Sequence, residues 1–165
     1  STGSVIPFFE SKILKGEDLP LTDERMTRFI ISPKDAVELI FDAIRYSMGG
    51  EIFVPILPAF KIVDLIEILK EKHGYKNNIK HIGIRPGEKI HELMINSSEI
   101  PRTFRFKNMY VITPSIERYK SLREKAEYYD ENNILKEKDM NEYSSHDAVI
   151  SKEKVKKLFK ELSLI

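Results

Sequence analysis

The 165-residue chain contains no cysteine, which excludes a disulfide framework, a thiolate nucleophile and a cysteine-based zinc site, and fits a reducing compartment. An excess of one charge is lacking as well. Against 27 Lys and Arg stand 26 Asp and Glu, a net charge of +1, which gives no electrostatic case for nucleic acid or an anionic membrane. No apolar run approaches the roughly 20 residues of a membrane-spanning helix, and no signal-peptide pattern is present. These absences read as a cytoplasmic protein. The chain opens on Ser1 and runs straight into structured-looking sequence, so a piece of something longer is expected.

Glycine is scarce. The seven glycines, at positions 3, 16, 49, 50, 74, 83 and 87, form neither a dinucleotide loop of the Gly-x-Gly-x-x-Gly or Gly-x-x-Gly-x-x-Gly type nor a phosphate-binding Walker loop. None of the seven tyrosines is followed four residues later by Lys, which excludes the Tyr-Lys proton-transfer pair of short-chain dehydrogenases. The histidines at 73, 81, 91 and 146 have no ligand spacing, so no metal site is expected. There is no Gly-x-Ser-x-Gly elbow, and Asp23 with Glu24 reads as a turn rather than an acid/base pair. No residue is assigned a catalytic role.

What is present is a hydrophobic content of 41%, enough for a sizeable core, arranged in an α/β rhythm. A short helix is predicted over Pro7 to Lys15, opened by Ser4 or Pro7 and stopped by Gly16. Leu19 to Thr22 and Met26 to Ile31 suit strands. Ser32-Pro33-Lys34-Asp35 is a helix start, with Ser as cap and Pro at the first helical position. Ala36, Leu39, Ile40 and Phe41 should then form a buried face, ending at Gly49-Gly50. Glu51 to Ile56 reads as a strand, Lys61 to Lys72 as a helix burying Ile62, Leu65, Ile66 and Leu69, and Ile79 to Ile84 as a further strand. Alternation of this kind predicts parallel α/β layers. Beyond residue 96 a hairpin is expected from Thr103–Phe106 and Met109–Thr113, then a charged stretch over 115–142. Ser151 caps a last amphipathic helix over about 151–162, with Val155, Leu158, Phe159 and Leu162 as its apolar stripe.

The most informative motif is Ile84-Arg85-Pro86-Gly87-Glu88-Lys89. A Pro-Gly turn there holds a guanidinium and a carboxylate three residues apart, a pairing suited to a phosphate and a sugar hydroxyl of one ligand. Arg28 lies within the apolar run 26–31 and by period-two alternation shares a face with Met26 and Ile30. It either meets an anionic ligand or sits on an edge strand, its head in water or paired with Asp23 or Asp35. Gly3-Ser4-Val5-Ile6-Pro7 offers backbone close to a helix start, which is either a ligand contact or a simple cap.

Five ordered segments carry a resemblance: Ser1 to Phe9; Leu21-Thr22-Asp23 with Met26-Thr27-Arg28-Phe29; Gly50-Glu51-Ile52-Phe53-Val54-Pro55; Ile82 to Glu92; and Glu142-Tyr143-Ser144-Ser145-His146. Together they resemble the C-terminal half of inverting UDP-N-acetylglucosamine 4,6-dehydratases. These are extended short-chain dehydrogenase/reductase enzymes of pseudaminic acid and capsule biosynthesis. The resemblance implies an α/β fold holding the last helix and strand of a Rossmann parallel sheet, around residues 33–56, with a small substrate-binding lobe. Residues 1–114 would form that lobe with its Rossmann remnants, and 115–165 a C-terminal extension. It further implies that Arg28 and Arg85 grip the diphosphate, Glu88 meets the ribose, Leu21 and Thr22 read the uracil, and Ser4, Val5 and Pro7 line the diphosphate and sugar. Thr2 stands where the family commonly has Arg, which withdraws a charge contact from position 2.

By the same resemblance the whole enzyme eliminates water from UDP-N-acetylglucosamine with inversion at carbon 5, uses NADP bound mainly by an N-terminal Rossmann half, and is a homo-oligomer. This chain alone would be inactive and bind no cofactor. The alternative is a non-catalytic UDP-sugar-binding module or interaction domain working with a separate Rossmann partner.

Overall fold

Helix starts and stops fall where the local chemistry places them. In the computed structural model, which describes residues 5–76, 78–116, 124–136 and 138–165, α1 spans Val5–Leu14 and Gly16 follows at φ 67°. Pro7 sits in its first turn, where a missing N–H costs nothing. Strand β1 (Leu19–Leu21) and strand β2 (Thr27–Phe29) come next. They are shorter than the sequence predicts, because the intervening residues close a turn in which Met26 N–H donates to the Asp23 carbonyl at 3.2 Å.

Helix α2 (Pro33–Tyr46) begins as expected, with the Ser32 hydroxyl accepting from Asp35 N–H. Strand β3 (Ile52–Pro55) and strand β4 (Ala59–Lys61) lead directly into helix α3 (Ile62–His73), which stops at Gly74 in the left-handed region. Strand β5 (Ile79–His81) is followed by β6 (Leu93–Ile95), β7 (Thr103–Phe106), β8 (Met109–Ile112), β9 (Tyr143–Ser144) and helix α4 (Lys152–Glu161). The strand predicted over Ile79 to Ile84 ends at His81. Ile82 and Ile84 are exposed, so the apolar run lacks the covered face that a longer strand would need.

Two compact units are assembled from separated segments. The first comprises Ser1–Ile30, Pro58–Glu92 and Ser145–Ile165. Its parallel ladder pairs β1 with β5, Leu19 opposite Ile79, and an antiparallel ladder pairs β2 with β4, Arg28 opposite Phe60. The core gathers Ile6 and Phe9 of α1, Leu19 and Leu21 of β1, Leu65, Ile66 and Leu69 of α3, and Val155 and Phe159 of α4. Phe159 meets Phe60 edge to face with centroids 5.3 Å apart. A fully buried side chain of this kind contributes about 1.5–3 kcal/mol. Lys152 and Lys156 of α4 reach Glu67 and Glu71 of α3 at 2.7 Å, exposed pairs worth little beside the apolar contact.

The second unit comprises Ile31–Leu57 and Leu93–Ser144. It holds an antiparallel sheet in the order β3-β8-β7, its predicted hairpin turning at Lys107 (φ 53°), and the antiparallel pair β6-β9. Phe104, Met109, Val111 and Tyr128 form its core, with Leu39 and Phe53 packed against them. Only β1 and β5 pair in parallel among the described strands, so the α/β class holds with a mixed rather than an all-parallel arrangement.

One expectation fails clearly. Helix α2 does not bury Ile40 and Phe41, which are 59% and 67% exposed; Val37 and Ile44 are exposed too. Tyr46 is the buried residue of this helix. Its apolar stripe spans more of the circumference than the face that Leu39 turns to the sheet.

Candidate functional site

The Arg85 turn is built as its composition demands. Glu88 N–H donates to the Arg85 carbonyl at 3.0 Å, and Gly87 sits at φ 83°. With Pro86 ahead of it this is a type II turn, whose third residue must take a positive φ. The Glu88 carboxylate ties the turn down twice. It accepts from Thr22 Oγ1 at 3.2 Å and from Arg85 N–H at 3.3 Å, linking the turn to the residue that follows β1. The Arg85 side chain makes no hydrogen bond or ion pair with any described residue, so its guanidinium is held in place at its base and unclaimed at its tip.

Arg28 is the opposite case. Its Nη1 donates to the carbonyls of Thr27 (2.7 Å) and Ile90 (3.1 Å), Nη2 donates to that of Lys89 (3.0 Å), and Nε faces Glu92 Oε1 at 3.4 Å. The guanidinium staples β2 to the segment after the turn. Neither Asp23 nor Asp35 is its partner: Arg25 holds Asp23, pulling its pKa to about 2 through side-chain and backbone hydrogen bonds, and Asp35 accepts from Ser32.

These residues line one cleft of about 190 Å³ in the first unit. Thr22, Arg28, Arg85 and Glu88 form its polar wall, and Val5, Phe8 and Phe9 of α1, with Pro20, Met26, Ile62 and Ile82, its apolar wall. Small-molecule sites typically enclose roughly 300–1,000 Å³, so this cleft has room for only part of a ligand of that size. A second groove of about 550 Å³ runs along α1, lined by Pro7, Ser11, Lys12 and Lys15, and shares Val5 and Phe8 with the first.

Of the residues singled out from the sequence, Val5, Thr22, Arg28, Arg85 and Glu88 come together in the cleft. Pro7 does not line it but the neighbouring groove. The side chain of Leu21 is 1% exposed, and its carbonyl accepts from Ile82 N–H at 3.0 Å. Ser4 lies outside the described residues. Of the apolar wall Val5 was singled out, but Phe8 and Phe9 were missed, although the three at i, i+3 and i+4 carry a helical-face signal. No group of acids and histidines able to hold a metal ion occurs among the described residues, and none of their helices is long and apolar enough to cross a membrane.

Behind Arg28 lies a second polar cluster. His91 Nδ1 and Thr27 Oγ1 are 2.8 Å apart, and Thr27 Oγ1 and Ser145 Oγ 2.6 Å apart. Glu92 N–H donates to Ser145 Oγ at 2.9 Å, and Ser145 N–H to the Glu92 carbonyl at 2.8 Å. The ring of His146 lies 4.8 Å from that of His91. Burial, then the neighbouring His146 and Arg25, push the His91 pKa below its ordinary value.

Comparison with known proteins bears on this site. Residues 1–114 match the model of a family described as polysaccharide biosynthesis protein. An inverting UDP-N-acetylglucosamine 4,6-dehydratase of Campylobacter jejuni is 47% identical over 119 residues, 70% of this chain and 34% of that protein. An uncharacterized membrane protein of Methanocaldococcus jannaschii is 38% identical over 174 aligned positions, 100% of this chain and 47% of its own length. UDP-glucose 4-epimerase of Rickettsia akari is 41% identical over 102 residues, 62% of this chain and 30% of that enzyme. The crystal structure of Pen from Bacillus thuringiensis superposes with a TM-score of 0.79 at 28% identity, covering 99% of this chain and 46% of that one. The chain thus spans between 30% and 47% of the length of these relatives.

Proposed function

The chain belongs to the polysaccharide biosynthesis protein family, and from that premise we propose that it is the sugar-nucleotide-binding part of a UDP-N-acetylglucosamine 4,6-dehydratase that inverts carbon 5 in surface-glycan biosynthesis. The observation that carries this reading is the unclaimed guanidinium of Arg85, aimed from a turn that its own backbone and Glu88 hold rigid, in the cleft that Arg28 also lines. A guanidinium fork without a protein partner is left to match phosphate oxygens.

Within this reading Arg85 takes the diphosphate and Arg28 shapes the cleft floor, with an N–H of Nη2 left to donate. Glu88 has each oxygen engaged once and retains lone pairs for a ribose hydroxyl. Phe8 and Phe9 give the base or sugar an apolar face. Val5, Pro7 and, by resemblance, Ser4 continue the site along α1, and the backbone at Leu21 and Thr22 is the proposed reader of the uracil.

The nicotinamide cofactor of such an enzyme, proposed to be NADP, finds no cradle among the described residues. β4 joins α3 with no loop, β2 reaches α2 through Ile30, Ile31 and the capping Ser32, and β9 reaches α4 through residues 145–151, so none of these three strand-to-helix joints carries a glycine turn. Cofactor and acid/base groups are proposed to come from an N-terminal Rossmann half, in a homo-oligomeric cytoplasmic enzyme, and this chain alone is proposed to be inactive.

Calorimetry with UDP-N-acetylglucosamine tests the reading. Arg85→Ala should weaken binding by about 1.5–3 kcal/mol, the scale of a hydrogen bond to a charged group. Unchanged affinity in a folded variant would remove Arg85 from the site. A second reading, a non-catalytic module working with a separate Rossmann partner, draws on the exposed apolar stripe of α2; absence of binding heat with the wild-type chain would favour its purely interaction-based form.

A further inference from the structure

The Thr27, Ser145 and His91 cluster is absorbed by none of the roles above, yet it reaches Arg28 through the Thr27 carbonyl. The Thr27 carbonyl that accepts from Arg28 Nη1 at 2.7 Å lies 3.2 Å from Ser145 Oγ. Thr27 is 1% exposed and Ser145 0%, so their hydroxyls must find protein partners. We propose that Ser145 and Thr27 are positioning residues for Arg28, and that the hydroxyl chain they form with His91 tightens the cleft on a diphosphate when His91 is protonated. This rests on the reading of the cleft as a nucleotide-sugar site.

The donor count allows two arrangements. With His91 neutral and its proton on Nε2, Glu92 N–H donates to Ser145 Oγ, the Ser145 hydroxyl to Thr27 Oγ1, and the Thr27 hydroxyl to His91 Nδ1, and the pH dependence requires this tautomer. With His91 protonated, Nδ1 becomes a donor and the chain reverses. Thr27 then donates to Ser145 Oγ, and the Ser145 hydroxyl turns to the Thr27 carbonyl. That carbonyl now serves two donors, so its hold on Arg28 Nη1 weakens and the guanidinium can turn to an incoming anion. Hydroxyl rotations switch the chain, and the only further movement is the turn of the Arg28 side chain.

The surrounding charges set the sign. His146 at 4.8 Å, Arg25 and Arg28 oppose a charge on His91, and Asp147 and Asp23 favour one. A bound diphosphate offsets the cationic neighbours, so ligand binding and protonation must reinforce each other. The effect falls below about pH 6.5, the ordinary histidine value.

Titration calorimetry with UDP-N-acetylglucosamine at pH 8 and pH 5.5 decides the matter, because its diphosphate gains no proton across that range. The wild-type chain should bind about three- to tenfold more tightly at pH 5.5. Thr27→Val, which keeps the shape and leaves the Ser145 hydroxyl only the Thr27 carbonyl to donate to, should bind at both pH values about as tightly as the wild type does at pH 5.5, losing the pH dependence, and Thr27→Ser should restore it. His91→Gln, at a partly exposed ring, should also flatten the profile and serves if Thr27→Val does not fold. A folded Thr27→Val or His91→Gln chain that keeps the wild-type profile, or a wild-type chain that binds equally at both pH values, overturns the inference alone. No binding by the wild-type chain at either pH overturns the nucleotide-sugar reading beneath it.

Discussion

Helices α2 and α3 have similar lengths and similarly regular apolar spacing, yet they bury different amounts of it. In α3, Leu65, Ile66 and Leu69 are 0% exposed; in α2, Ile40, Phe41 and Ile44 are more than half exposed. Periodicity states that a helix has a face to cover. It does not state what covers it. The contrast also separates the labour of the two units, since the cleft lies wholly in the unit that contains α3.

The largest test of this contrast is a pair of truncations. Leu65→Ala should cost about 2–5 kcal/mol in chemical denaturation, as buried Leu→Ala changes do, whereas Ile40→Ala should stay within about 0.5 kcal/mol, as exposed sites do. Equal losses would mean that the α2 stripe is covered in solution.

A smaller effect is expected where α2 ends. Burial of the Glu51 carboxyl opposes its ionisation, but the Tyr128 hydroxyl at 2.6 Å and the Met48 and Gly49 N–H groups outweigh it and hold the pKa below the ordinary value. A lowered carboxylate stabilises the fold above its unfolded pKa, and that contribution disappears as pH falls through the folded value. Glu51→Gln should therefore cost about 1–3 kcal/mol at pH 7 and much less near pH 3, read as melting temperatures of the two chains at each pH. A constant difference across that range would show that the charge is not what matters.

The smallest effect on stability should come from Ile40→Glu with Ile44→Glu, under about 0.5 kcal/mol for sites this exposed. Their signature lies elsewhere. Contiguous exposed apolar side chains favour association, so sedimentation velocity should show the wild-type chain self-associating with concentration and the double variant less so. Identical profiles would leave the stripe without that consequence.

The reading of the fold from sequence succeeded where one local cause suffices. Ser32 caps α2, Gly74 stops α3, Ser151 caps α4, and Lys107-Asn108 turns the hairpin, each through a bond or a φ that its own residues dictate. It failed where the decision was tertiary. The run 79–84 looked like one strand because nothing in it reveals that its last residues are uncovered. In the cleft, Arg85, Glu88 and Thr22 could be picked by chemistry. The partners of Arg28 could not, because they are backbone carbonyls at 27, 89 and 90 whose approach depends on how β2 meets the segment beyond the turn. Ser145 escaped a role for the same reason, being 118 positions from Thr27.

That separation bears on how the protein is made. The first unit needs α4, whose Val155 and Phe159 complete its core, and Ser145, whose hydroxyl sits behind the cleft. Translation at about 5–20 residues per second places roughly 6–24 s between the synthesis of Thr27 and that of Ser145. Throughout that interval the cleft-forming strands exist without the segment that seals them, while all of the second unit is synthesised. The nascent chain therefore carries an unfinished binding site until residues 145–161 are made, and a ligand-ready first unit waits on them.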